Sequence, residues 1–301
     1  MSTKKCILVT GSNRSGSTWV GKVIGEHPKV DYIIEPLNLN RIERFGKFNI
    51  DKWYLKINEE SDENLKREVR ALLNYYLNLN VPTFLKTPFE KYEGHSMYMS
   101  LKKRIRRAHK PIKLLKDPTA LFLVPWMVRE FGVSPVVLIR HPAAYVLSIK
   151  EKKWWFDFNH ILRQEHFFDE LSSDLKDEVV KFKTEESNMD IIDNAALLWK
   201  VFYAQVLEYK GKYPDWLYIT HETLSLHSME AFRTIFDYLE IELTLSVQKY
   251  ITLSTKAINS EKHLRDAAEN AVKWKKILTK EEQQRVYGIT HSVSNHFYDS
   301  F

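Results

Sequence analysis

The chain has a single cysteine, Cys6, among 301 residues. One thiol excludes an intramolecular disulfide and any zinc site built on cysteines. Cys6 itself reads as a small, buried strand residue. Histidine offers no metal site either. The pairs His221/His227 and His291/His296 lack a carboxylate or thiolate neighbour at zinc spacing, so no metal is assigned. Long apolar runs are also missing. The longest, Leu121–Val128, is 8 residues and contains a proline, where a membrane span needs about 20. The N-terminus passes from Lys4-Lys5 straight into a strand-like run, without the apolar stretch or cleavage site of a leader. A soluble, cytoplasmic chain is expected, and a trimmed anchor stays open. No repeat, low-complexity tract or Gly/Ser linker divides the sequence, so a single domain over 1–301 is expected.

Apolar residues make up 44% of the chain and aromatics 13%. That is enough for a packed core, and wholesale disorder is excluded. Lys and Arg outnumber Asp and Glu by 45 to 39. The excess favours anionic ligands such as phosphates, sulfates, acidic glycans or nucleic acid, and selects none of them.

Short apolar runs alternate with helical patterns. Strands are expected at Cys6–Thr10, Val30–Glu35, Ile112–Lys116, Pro135–Arg140 and Trp216–Thr220. Helices are expected at Ser17–Glu26, Asp62–Leu79, Thr119–Phe131, Ala143–Lys153, Asp193–Tyr213, Met229–Leu239 and Lys280–Tyr287. Trp154–Asn188 mixes aromatics and charge with no clean period and reads as a lid or insertion. Such alternation predicts a three-layer α/β fold with a mostly parallel central sheet flanked by helices. Ligands of such sheets sit beyond the carboxyl ends of the strands. Gly11–Thr18, Glu35 and Arg140 fall there.

Strand, small-residue loop and helix start form an anion cradle, in which backbone N–H groups converge with the positive helix end. Gly11-x4-Gly16-Ser17-Thr18 has the spacing of a P-loop except that Ser17 stands where the lysine belongs. The nearest cation is Arg14, inside the loop, and no apolar run ends in a magnesium-binding aspartate. A phosphate fits, whereas a nucleoside triphosphate with magnesium is disfavoured. An ordinary Gly/Ser turn is the competing reading.

Arg14-Ser15-Gly16-Ser17-Thr18-Trp19, then His27-Pro28, then Glu35-Pro36 resembles the opening of sulfotransferases that use 3′-phosphoadenosine 5′-phosphosulfate (PAPS). It is most similar to the carbohydrate O-sulfotransferases, and the 21 residues from Arg14 to Glu35 match their spacing. Val136-Val137-Leu138-Ile139-Arg140-His141-Pro142, with Ser148 further on, resembles the family's 3′-phosphate strand and helix, with His141 where aspartate is usual. Leu115-Lys116-Asp117-Pro118, the stretch Leu217–Leu224, and Arg265-Asp266-Ala267 with Trp274 resemble three further blocks. The likeness is weak over 40–110 and 154–190.

The resemblance implies PAPS as co-substrate, 3′,5′-ADP as product and no metal. It implies that the loop 11–18, with Arg14, Ser15, Gly16, Ser17 and Thr18, holds the 5′-phosphosulfate side and that Trp19 is a further cofactor-binding residue. Arg140 and Ser148 would hold the 3′-phosphate, with Arg265 and Lys273 as closing contacts. Glu35 would be the general base and Arg14 would stabilise charge on the leaving oxygen, with partial burial raising the Glu35 pKa. The bland alternatives are a strand-end surface arginine at 140, a salt-bridging glutamate at 35 and solvated charges at 265 and 273. Lys116 would contact a phosphate or pair with Asp117.

On the acceptor side, Trp154-Trp155-Phe156, Phe158, His160 and Phe167-Phe168 would cover a sugar or apolar acceptor, or simply pack the insertion onto the core. Lys102–Arg107 is a basic run for an anionic glycan or membrane surface, or a solvated helix face. The acceptor is expected to be a hydroxyl on a glycan or glycoconjugate. A small-molecule, lipid or tyrosine hydroxyl is the alternative, and a degenerate P-loop kinase-like protein ranks below it. No nucleic-acid motif is present, so no nucleic-acid partner is expected. The sequence does not fix the oligomeric state.

Overall fold

The computed structural model describes residues 5–45, 48–77, 109–255 and 267–299. Five strands form its sheet: β1 (Lys5–Gly11), β2 (Val30–Ile34), β3 (Ile112–Lys116), β4 (Val133–Ile139) and β5 (Leu217–Thr220). Their order is β2-β3-β1-β4-β5, and every pairing is parallel. β1 lies at the centre, and six of its seven residues are buried. That explains its unbroken apolar run, since a central parallel strand is covered on both faces.

The helices are α1 (Ser17–Gly25), α2 (Leu39–Phe45), α3 (Glu63–Leu77), α4 (Val124–Phe131), α5 (Pro142–Lys152), α6 (Asn159–Leu162), α7 (Glu165–Asp169), α8 (Ser173–Thr184) and α9 (Ile191–Lys212). After β5 come α10 (His221–Leu226), α11 (Ser228–Tyr238), α12 (Leu245–Thr255), α13 (Ala267–Val272), α14 (Trp274–Ile277) and α15 (Lys280–Ser294). Thr119–Phe131, expected as one helix, is a 3-10 turn over Pro118–Leu123 followed by α4. Pro125 stands in the first turn of α4, where its missing N–H costs nothing, and this favours the change of helix type there.

Alternate residues of each strand serve opposite layers. Ile7, Val9, Leu114, Val136 and Leu138 pack with α1, α11 and α12. Leu8, Ile33 and Leu115 pack with α3 and α4, while Val137 and Ile139 pack with α5 and α9. The chain therefore leaves β1 toward one face and leaves β3 and β4 toward the other. Between such strands a crevice opens at their carboxyl ends. Within 154–190, Phe158, Phe167, Leu175 and Phe182 are buried in the same cluster as α5 and α9. Among the described residues, no helix is long and apolar enough to cross a membrane.

Candidate functional site

β1 ends at Gly11, whose φ of +144° suits glycine. A side chain there would meet the Leu138 carbonyl on β4 at 2.4 Å. Ser12–Gly16 then turns back into α1. Ser15 N–H donates to the Ser12 carbonyl at 3.2 Å. Gly16 caps α1 in the left-handed region and has no side chain with which to bond the freed N–H groups of the first turn. These donors and the positive helix end face the same space. Ser15 and Ser17 are buried, whereas Arg14 and Thr18 are exposed. The Ser15 hydroxyl has no hydrogen-bond partner. Trp19 turns away, donating to Ser254 Oγ at 3.0 Å and packing edge-on against Phe232.

Arg140 follows β4 directly and is buried. Its guanidinium donates to the Arg14 carbonyl, and its Nε is buried with no hydrogen-bond partner. Burial works against its charge, and Glu222 supports it. Ser148, one and a half turns into α5, accepts from Arg14 Nε at 2.8 Å. Arg14, expected on the 5′ side of two separated anion positions, thus reaches across to the Ser148 side. Arg14, Arg140 and Ser148 line one small polar pocket, closed on its far side by Asn270, Lys273 and Trp274. Lys273 pairs there with Glu151. Arg265 and the basic run 102–107 lie outside the described residues.

Glu35 follows β2 with φ +45°. Its N–H donates to the Lys116 carbonyl at 2.7 Å. Its carboxylate pairs with Lys116 Nζ and accepts from Asn38 Nδ2 at 3.0 Å. Burial pushes the Glu35 pKa up, but Lys116 and Asn38 outweigh it, and the net displacement is downward. This corrects the expectation that burial raises it.

Lys116 pairs with Glu35, not with Asp117. Asp117 is fully buried and accepts from Leu37 N at 2.7 Å, Thr119 N at 2.9 Å and Thr119 Oγ1 at 2.6 Å. Burial nonetheless pushes its pKa up to about 6. By holding Leu37, Asp117 fixes the turn that carries Glu35.

Sequence reasoning missed several residues behind the loop. Tyr203 Oη lies 2.8 Å from Ser12 Oγ, and Tyr145 Oη donates to Asn13 Oδ1 at 2.9 Å. His221 is buried under Gly16. Burial and Arg140 hold its pKa down to about 3, so its ring is neutral. Helical periodicity marks Tyr203 and Tyr145 only as core aromatics. Of the expected acceptor aromatics, Phe158 and Phe167 are buried, while Trp154 and Trp155 are 47% and 43% exposed. The Trp154 ring lies 5.8 Å from the Arg14 guanidinium. Among the described residues, no group of three or more His, Cys, Asp or Glu is placed to hold a metal.

Fold and loop together define the class: an α/β architecture of the P-loop-like kind found in sulfotransferases. The sulfotransferase domain of the Synechococcus PCC 7002 olefin synthase superposes with a TM-score of 0.51 at 16% identity, covering 96% of this chain and 94% of that one. The sulfotransferase domain from the curacin biosynthetic pathway gives 0.47 at 15% identity, with 95% and 98% covered. Mouse sulfotransferase SULT7A1, solved with PAP, gives 0.39 at 10% identity, with 99% and 90% covered. At 16% identity, the likeness to the olefin synthase domain establishes the fold alone. No family model matches the sequence, and no curated protein matches it.

Proposed function

We propose that this chain is a sulfotransferase that uses PAPS and an acceptor hydroxyl, with a carbohydrate as the acceptor. One observation carries the reading. Arg14, Arg140 and Ser148 converge beside an α1 start that has no side-chain cap, while Arg140 Nε and Ser15 Oγ are buried without partners. Buried donors left unpaired are costly. An anion with two phosphate positions would satisfy both, and PAPS is such an anion.

When bound, PAPS supplies the sulfuryl group. The first-turn N–H groups of α1, with Ser17 and Thr18, would hold its 5′ side. Arg140 and Ser148 would hold the 3′-phosphate. Glu35 would take the proton of the acceptor hydroxyl as that oxygen bonds to sulfur. Lys116 keeps the carboxylate ionised at neutral pH, so Glu35 is ready to accept a proton, though as a weak base. Arg14 would stabilise charge on the departing phosphate oxygen. Sulfuryl transfer moves a singly charged group, so it leans less on magnesium than phosphoryl transfer does. Glu35-Pro36 favours the sugar-acting branch. The half-exposed Trp154 ring beside Arg14 offers a stacking face for a sugar.

Thermal unfolding with 3′,5′-ADP, 5′-ADP and ATP plus magnesium tests the donor. At 100 times its Kd, 3′,5′-ADP should add about 2.7 kcal/mol. The gain should be specific to 3′,5′-ADP and absent in Arg140→Ala. Stabilisation by ATP instead, or by no nucleotide, overturns the reading. Radiolabelled PAPS with a panel of neutral oligosaccharides, phenols and aliphatic alcohols then identifies the acceptor class.

A further inference from the structure

We propose that Tyr203 is a positioning residue that fixes the separation of the two anion-binding segments, Ser12–Gly16 and Arg140–Ser148. The inference rests on the sulfotransferase reading and goes one layer behind it.

The β1–β4 ladder ends at the pair Gly11 and Leu138. Beyond it the two strands part to form the crevice, and backbone pairing no longer holds Ser12 against Arg140. The Tyr203 hydroxyl, fully buried on α9, fills the fork. Arg140 N–H donates to it at 3.2 Å, Ser12 Oγ lies 2.8 Å away, and it donates to the Leu138 carbonyl at 3.3 Å. A phenol has one proton to give and can accept two. With its proton on Leu138, it accepts from both Arg140 and Ser12, so a single oxygen bridges the segments.

One turn earlier on the same helix, Trp199 Nε1 donates to the Arg140 carbonyl at 2.8 Å. The i and i+4 positions share a helix face, so α9 grips Arg140 by both polar groups of its backbone. Its rigidity is transmitted to the guanidinium, while Ser12 carries the same reference point into the loop. Each segment has its own local support, from the start of α1 and from α5. Loss of the bridge should therefore leave each segment competent and spoil their spacing. Burial keeps the phenol protonated far above neutral pH, so the bridge does not vary over the working range.

The test is calorimetric titration of wild type and Tyr203→Phe with two probes. 3′,5′-ADP spans both segments and 5′-AMP engages one. Tyr203→Phe should weaken 3′,5′-ADP about tenfold, the worth of one buried hydrogen-bond bridge, and change 5′-AMP less than about twofold. Ser12→Ala removes only the loop end of the bridge and should show the same selective loss, which serves if Tyr203→Phe does not fold. Equal weakening of both probes means a merely structural tyrosine and overturns the proposal, as does unchanged 3′,5′-ADP binding in a folded variant. If wild type binds neither probe, the sulfotransferase reading itself fails and takes this inference with it.

Discussion

Gly16 is the residue on which the geometry of the loop turns, and replacing it by alanine separates two costs. Its φ is +96°, a conformation that costs a side-chain-bearing residue roughly 1–2 kcal/mol. An added Cβ would also lie 2.6 Å from His221 Cδ2. His221 is buried and lies 3.3 Å from Ser225 Oγ through Nδ1, so it cannot swing aside freely. Overpacking of that kind costs about 1–3 kcal/mol. Gly16→Ala should therefore destabilise the protein by about 2–5 kcal/mol. In a His221→Ala background the clash is gone and only the backbone cost remains. Urea unfolding of the four proteins closes the cycle, with an expected coupling of about 1–3 kcal/mol between the sites. If Gly16→Ala costs the same in both backgrounds, His221 does not brace the loop and the reasoning fails.

Glu35→Gln should lower sulfuryl transfer from PAPS by about a hundredfold or more while leaving 3′,5′-ADP affinity intact. Turnover close to wild type, measured with labelled PAPS and the active member of the acceptor panel, removes Glu35 as the base. Asp117 gives a pH dependence of stability. Burial raises its pKa from 3.8 to about 6 in the folded chain. Its contribution is thus fully present below pH 3.8 and lost as pH rises through about 6. The unfolding free energy of wild type relative to Asp117→Asn should fall by on the order of 3 kcal/mol between about pH 4 and pH 7. A difference that does not vary with pH in paired urea titrations would count against a raised pKa.

The sheet was readable in the sequence because each strand is short, apolar and closed by a strong signal. Gly11 ends β1, Pro36 and Pro118 follow β2 and β3, and Pro142 opens α5. Helix types were less readable. The 3-10 turn at Pro118–Leu123 has the same apolar content as the helix it precedes, and periodicity over six residues does not separate them. The terminal helices α12 to α14 are short or weakly amphipathic and left no clear period. At the site, Arg14, Glu35, Arg140 and Ser148 were singled out through the resemblance to PAPS sulfotransferases. Their partners were not, because Lys116 reaches Glu35 across 81 residues and Tyr203 reaches Ser12 across 191. The direction of the Glu35 pKa depends on that first contact and could not follow from burial alone.

Backbone strain ties these observations together. Among the described residues, only five other than glycine have positive φ, and two are Arg14 at +66° and Glu35 at +45°. Such conformations persist where the surroundings over-determine them. Both residues are pinned twice. The Arg14 carbonyl accepts from Arg140 while its Nε donates to Ser148. The Glu35 N–H donates to the Lys116 carbonyl while its carboxylate pairs with the Lys116 side chain. In each case the backbone contact and the side-chain contact come from the neighbouring strand or the helix that follows it. The two side chains are thus held in place by a rigid sheet, although both sit in loops. An arrangement that stores strain at the proposed base and the proposed charge stabiliser, and at few other residues, suits a site whose reacting groups must be in place before the acceptor arrives.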